Sequence, residues 1–484
     1  MKFRILLLLA YILLAVFLAG AQGGNRLERQ TYQLSTEWSP LDVVFRDNSG
    51  KAEVKPATMA IDVQGVGHLV WLYKRDVDDP STWSINYARW EDGIWSSPID
   101  VLVLPGGGGP PNIVAGLDGL LHIVLAGGKG NKLWYANVPI LETENVRSWS
   151  KPTVIADYAL DADLVIDQKG VLHAVFTTGE PYGPVYYTHT HDNLSWSKPS
   201  LVYKNAPSNI TSGEPRLSVD GRGRIHVIWT EHQLPTGWPP LGQWYTQSED
   251  GGITWKQAIQ VGGMEQGQGA VLAIDNDEVH LVWRGTSAAG NTYHQWSDDG
   301  GKTWRTPVIF DPDGGFSGRQ SLAADSAGNV YLVRSDGGFQ VWEKGVWSPI
   351  PALFADSGEI GTIAIGLGNQ IHWINTTQAG VQPAVVWHRV KVSSAAAIPP
   401  QELPRRAQPT ESNAAQSTVE ANLTTQVNTP IQENLRTELG ENMGLKSAAD
   451  SSVRWPITIG VISASVLLVL ITAVRLLSIN KIRK

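Results

Sequence analysis

Between residues 32 and 392 the apolar positions fall in short alternating runs bounded by Gly- and Asp-containing turns, the pattern of strands joined by hairpins. The runs repeat as a set. One unit reads Asp-x-x-Gly-x-x-His followed by alternating apolar residues, as in Asp62-Val-Gln-Gly65-Val-Gly-His68-Leu-Val-Trp71. It returns with Asp118 and His122, Asp167 and His173, Asp220 and His226, and Asp275 and His280. A sixth copy pairs Asp325 with Tyr331, and a seventh near Gly366 and His372 lacks the Asp. The copies lie roughly 50 residues apart, the length of a four-stranded propeller blade.

A second unit follows each copy: an aromatic-rich run, a turn, then Trp-Ser-x-Pro and a β-branched stretch. It appears as Trp95-Ser96-Ser97-Pro98, Trp149-Ser150-Lys151-Pro152, Trp196-Ser197-Lys198-Pro199 and Trp304-Arg305-Thr306-Pro307, with looser versions opening at Trp255 and Trp347. The first blade therefore divides into strands A (58–62), B (68–72), C (85–90) and D (94–102). Proline cannot donate to a central ladder, so D lies on the outer edge. The seventh copy ends after its C strand, 385–392. The missing outer strand is supplied by Trp38-Ser39-Pro40 and 41–44, which closes the ring and removes its open edges. The expected fold is all-β: a propeller of four-stranded antiparallel blades over 32–392, seven by this count, with six as the alternative.

The two ends carry a different pattern. Lys2 and Arg4 precede an apolar run over 5–18 and Ala19-Gly20-Ala21, which predicts a signal peptide over 1–21. Residues 456–474 carry no charge, Trp455 borders them, and Arg475, Lys481, Arg483 and Lys484 follow. This predicts a transmembrane helix over 455–477 and a cytoplasmic tail over 478–484. Between propeller and helix, 393–454 is rich in Pro, Ala, Ser, Thr, Gln and Asn and reads as a disordered stalk. The expected location is the cell membrane, single-pass, with the propeller outside.

With no cysteine in 484 residues, disulfides, thiolate metal sites and cysteine nucleophiles are excluded. A core must do the stabilising, and 42% hydrophobic residues supply one. A formal charge of −8 argues against nucleic acid as a partner.

Two turns between strands C and D are regular enough to carry a resemblance. Ser248-Glu-Asp250-Gly-Gly252-Ile-Thr254-Trp255 and Ser297-Asp-Asp299-Gly-Gly301-Lys-Thr303-Trp304 both fit Ser-x-Asp-x-Gly-x-Thr-Trp. They resemble the Asp-box, or BNR repeat, of the sialidase-like propellers. In that family the box is a structural hairpin, on the face opposite the active site. The resemblance implies the same role for Ser248, Asp250, Gly252 and Trp255, and for Ser297, Asp299, Gly301 and Trp304. It departs from the family's catalytic members where they carry Arg-Ile-Pro, since Glu53-Val-Lys55-Pro56-Ala57 holds no arginine.

The repeated histidines share one framework position, as core residues do, so neither a metal site nor a cofactor is expected. A binding site belongs on the face of the B–C and D–A loops, near the axis. Strand register brings Arg216, Arg284, Arg319 and Arg334 toward that face, and paired guanidiniums suit a carboxylate. The long B–C loop over 230–242 adds Glu231, His232 and Trp238, a carboxylate with an aromatic for stacking on a sugar. No catalytic pair declares itself. The expectation is a membrane-anchored, non-catalytic module binding a glycan or an extracellular protein. The alternatives are an exo-glycosidase of sialidase type acting on acidic sugars, with Arg216, Arg284, Arg319 and Glu231 around the sugar carboxylate, and an envelope scaffold.

Overall fold

The computed structural model describes residues 35–79, 83–178, 183–204, 209–237, 239–274, 277–285, 290–311, 320–334, 338–348, 360–377 and 381–403. All belong to the first of two compact units, Met1–Thr410. The strands form seven antiparallel sheets in sequence order, each with strand A innermost and D outermost. Blade 4 shows the pattern, with Ile210–Val219, Ile225–Gln233, Pro240–Ser248 and Ile259–Gly262. Blade 1 keeps the order with both edges broken, strand A at Lys55-Pro56-Ala57 and strand D before Pro98. Proline lacks the amide a ladder needs, and both breaks fall at one.

The ring closes through the N-terminus. Asp42–Asp47 runs antiparallel to Ala384–Val392, with Asp42 opposite His388 and Asp47 opposite Ala384. Ahead of it, the Ser39 amide donates to the Val390 carbonyl at 2.8 Å, and the Val390 amide returns to Ser39 Oγ at 3.0 Å.

Trp-Ser-x-Pro also has a local reason. The serine Oγ caps the last free C-strand amide before the proline interrupts pairing. It does so for Arg89 by Ser96 (2.9 Å), Asn137 by Ser150 (2.9 Å) and His189 by Ser197 (3.0 Å).

Neighbouring blades are sewn together by the repeated His and Trp. In blades 1 to 4 the buried His places Nδ1 on a strand-C tyrosine hydroxyl: His68–Tyr87 2.8 Å, His122–Tyr135 2.9 Å, His173–Tyr187 2.6 Å and His226–Tyr245 2.8 Å. The Trp of the following blade then meets that tyrosine edge-on, as in Tyr87–Trp149 and Tyr245–Trp304. Blades 5 and 7 replace tyrosine by a second histidine, in His280–His294 (3.1 Å) and His372–His388 (3.0 Å). Trp95 Nε1 hydrogen-bonds His388 Nδ1 at 3.1 Å, carrying the stitch across the closure from blade 7 to blade 1.

The two Asp-boxes serve the same seams. Asp250 Oδ1 accepts the Thr254 amide at 2.9 Å, and Ser248 Oγ accepts the Gly252 amide at 2.8 Å. These bonds hold the Asp250 carboxyl down at about 2, led by the Thr254 hydroxyl. Gly252 has φ +88°, and a Cβ there would lie 2.1 Å from the Tyr187 ring. Gly252→Ala combines left-handed strain with a clash in a packed seam. Chemical denaturation is expected to show a loss of about 2–4 kcal/mol.

Two expectations change here. Among the described residues no helix is long and apolar enough to cross a membrane; the helices they contain are the short 3₁₀ turns Ile140–Glu142 and Val146–Ser148. The propeller-plus-transmembrane-helix architecture, the single-pass location and the membrane as a partner are withdrawn accordingly. The segments assigned to the signal peptide (1–21), the span (455–477) and the tail (478–484) lie outside the described residues, as does 404–454 of the stalk. Second, residues 393–403, whose composition placed them in the stalk, lie along the A–B turns. Ser326 Oγ donates to the Ala396 carbonyl at 2.5 Å, the Ile398 amide to Leu367 O at 2.7 Å and the Gln401 amide to Val63 O at 2.8 Å. Leu403 then packs on the cluster between blades 1 and 2. Backbone pairing orders this segment where its side chains give no periodic signal.

Candidate functional site

The seven A strands surround a central cavity of about 270 Å³. Its composition follows from register. In each blade one residue of strand A pairs with the residue two places after the framework His or Tyr, which defines a ring of equivalent positions. Five of its members are spent on holding the ring. Thr58 Oγ1 donates to Pro111 O (2.7 Å), Asn112 Nδ2 to Ala162 O (3.0 Å) and Thr362 Oγ1 to Ala57 O (3.0 Å). Asp163 Oδ2 accepts the Leu217 amide (3.0 Å), and Ser321 Oγ accepts the Ile363 amide (3.1 Å). Each bond joins one A strand to its neighbour.

The pattern breaks at blades 4 and 5. There the ring positions are Arg216, paired with Ile228, and Ala270, paired with Val282. Both strands bulge just before them, with Glu214 (φ 55°) and Gln268 (φ 55°) in the left-handed region. Non-glycine residues there cost roughly 1–3 kcal/mol each and gather at functional sites. Arg216 donates to its own neighbour's carbonyl, Pro215 O, and faces the cavity beside Asp163. Burial pushes the Asp163 carboxyl above the usual carboxylate range, against the pull of Arg216 and of the Leu217 and Leu164 amides. Asp163 keeps contact with cavity solvent through its partly exposed edge.

The residues singled out from sequence are dispersed. Arg216 lines the cavity. Arg284 is buried, with Nη1 3.4 Å from Gln268 Oε1. Gln268 Nε2 reaches Glu214 Oε1 at 3.4 Å, and His232 Nε2 lies 4.0 Å from Glu214 Oε2. Arg334 is buried over Gly338, where a Cβ would fall 2.5 Å from its Nε. Glu231 turns to the seam with blade 3, accepting from Tyr203 Oη at 3.0 Å among Trp229 and Trp244. Burial raises the Glu231 carboxyl, and the Tyr203 hydrogen bond opposes it. Trp238 and Arg319 lie outside the described residues. Asp163 and the cavity-lining Gln320 were missed. The signal was available: counting from the repeated His places Asp163 in the ring, the one carboxylate beside the ring's one guanidinium, Arg216.

The fold comparisons fit this geometry. A lectin from Burkholderia pseudomallei superposes with TM-score 0.50 and 14% identity, covering 73% of this chain and 99% of the lectin. The chain is a seven-bladed propeller that shares its fold with carbohydrate-active proteins. An ulvan lyase bound to a GlcA–Rha3S disaccharide matches with TM-score 0.48 and 13% identity, over 71% of this chain and 96% of the lyase. A leech intramolecular trans-sialidase complexed with 2,7-anhydro-Neu5Ac matches with TM-score 0.40 and 11% identity, over 73% and 70% of the two chains. No protein-family model matches the chain, and no curated protein matches it.

These findings correct three expectations. The likeness is to several carbohydrate-active propellers, without special weight on sialidases or BNR proteins. The reading as a membrane-anchored, non-catalytic binding module is withdrawn, since its anchor was a span that no described helix supplies. The expectation of a non-enzyme is withdrawn with it, since a shared fold neither establishes nor excludes an activity.

Proposed function

We propose that the protein is an exo-acting enzyme that cleaves the glycosidic bond of a terminal acidic sugar held in the central cavity. The observation that supports this reading is Asp163 beside Arg216 at the point where the ring of A-strand stitches fails. Arg216 would take the sugar carboxylate through charge-assisted hydrogen bonds. Asp163, its carboxyl pushed up by burial, would protonate the leaving glycosidic oxygen, and water adding at the anomeric carbon would return its proton to the Asp163 carboxylate. A cavity of about 270 Å³ suits one terminal sugar better than the interior of a chain.

One observation favours a second route. Hydrolysis by paired carboxylates needs two acids facing the bond, and among the described residues Asp163 is the sole carboxylate lining the cavity. One guanidinium and one carboxylate suffice for β-elimination. Arg216 would neutralise the carboxylate of a uronate substituted at O4, and Asp163 would remove the proton on C5, the carbon that bears the carboxylate. The C–O bond at the next carbon would then break, and the departing oxygen would recover the proton.

Incubating the protein with sialyl and glucuronyl oligosaccharides and resolving products by mass distinguishes the routes, because hydrolysis adds water and elimination leaves an unsaturated sugar. Arg216→Ala is expected to lower kcat/KM on acidic sugars by about 10- to 100-fold, the worth of a charged hydrogen bond. Absence of turnover on every acidic sugar in the set overturns the reading.

A further inference from the structure

Gln320 opens strand A of blade 6, Gln320–Ala324, and is 3% exposed. It lines the cavity, and both its Oε1 and its Nε2 are enclosed without a hydrogen-bond partner among the described residues. The other polar cavity residues behave differently. Thr58, Asn112, Ser321 and Thr362 each bond a neighbouring strand. Gln243, as deeply buried, donates to Trp229 O at 2.6 Å and accepts the Gly269 amide at 2.9 Å. Enclosing both ends of an amide without partners is costly, and native folds keep such groups where a ligand or water meets them.

The position is informative as well. In a seven-blade ring, blade 6 stands as far from blade 3, and so from Asp163, as a blade can. Gln320 faces the same cavity as Arg216 from a wall two blades away, within reach of a different part of a sugar whose carboxylate Arg216 holds. A primary amide offers an acceptor and a donor side by side, the complement of two adjacent hydroxyls, one donating and one accepting. Building on the acidic-sugar reading, we infer that Gln320 is a specificity-determining residue that recognises a vicinal pair of hydroxyls on the sugar whose carboxylate Arg216 holds.

Gln320→Leu tests this with two readouts. The first needs no ligand: removing an unpaired buried amide leaves the thermal midpoint unchanged or raises it, whereas a fall of several degrees shows that the amide is a structural partner and overturns the inference. The second is the ratio of kcat/KM for a sialyl or glucuronyl oligosaccharide to that for its monodeoxy analogue lacking one of the paired hydroxyls. The ratio is expected to be at least about 10 in the wild type and near one in Gln320→Leu, through KM with kcat nearly constant. An unchanged ratio in Gln320→Leu, alongside loss of activity in Arg216→Ala, overturns the role of Gln320 and leaves the acidic-sugar reading standing. Inactivity of the wild type on all these sugars removes that reading, and the hydroxyl assignment goes with it.

Discussion

Asp163→Asn is expected to lower kcat on an acidic sugar by about 10²- to 10⁴-fold, the span of a lost general acid–base group, with KM and the thermal midpoint nearly unchanged. The substitution keeps shape and an oxygen to accept the Leu217 amide, so the bond between blades 3 and 4 survives. It removes the group whose charged form burial disfavours, so folding loses nothing by it. Arg216→Ala is predicted to act on the other parameter, chiefly through KM. The pH profile adds a sign. A general acid works while protonated, so the wild-type rate falls as pH rises through a pKa lying above the ordinary carboxylate range, and Asp163→Asn loses that limb. Steady-state kinetics over a pH series, with a melting curve for each variant, checks the three statements together. A variant within about tenfold of wild type removes Asp163 from the chemistry.

The fold was legible because its determinants are local and repeated. Asp-x-x-Gly turns, Trp-Ser-x-Pro caps and the His position each recur in register, and the absent seventh D strand pointed to 41–44, where the N-terminal strand pairs. The partners of the repeated His were not legible. Tyr87, Tyr135, Tyr187 and Tyr245 sit at strand-C positions whose pairing is fixed only once B–C register is known. The arginines were placed by strand register, and of these Arg284 and Arg334 are buried. What marks the cavity is the failure of a repeat, at Arg216 and Ala270, and a failure is visible only against the ring bonds that Thr58, Asn112 and Thr362 make. Residues 393–403 show the converse: a low-complexity composition that backbone hydrogen bonds hold to the propeller.

The same repeated histidines predict a steep loss of stability in acid. Burial drives His173 down to about 4 and His372 to about 3, and also lowers His68, His226, His294 and His388. In each case the folded state keeps the ring neutral while the unfolded chain protonates near 6.5. The unfolded state therefore binds more protons below that point, and stability is full above it and lost as pH falls toward 4 and 3. At about 1.4 kcal/mol per unit, His173 and His372 alone remove on the order of 5 kcal/mol by about pH 4.5, as much as the whole margin of many domains. Asp163 and Glu231 work against this, since their raised carboxyls favour the fold as pH drops. They are two groups against six. Carboxylates such as Asp250, held at about 2, add their loss only further down. Thermal midpoints measured from about pH 7.5 to 4.5 should fall steeply below pH 6.5, and His173→Gln should flatten that slope while lowering the midpoint at neutral pH through the lost Tyr187 seam. A flat wild-type profile across this window would show that the framework rings accept protons without opening the blades, and the seams would then owe their strength to the Trp contacts rather than to neutral imidazoles.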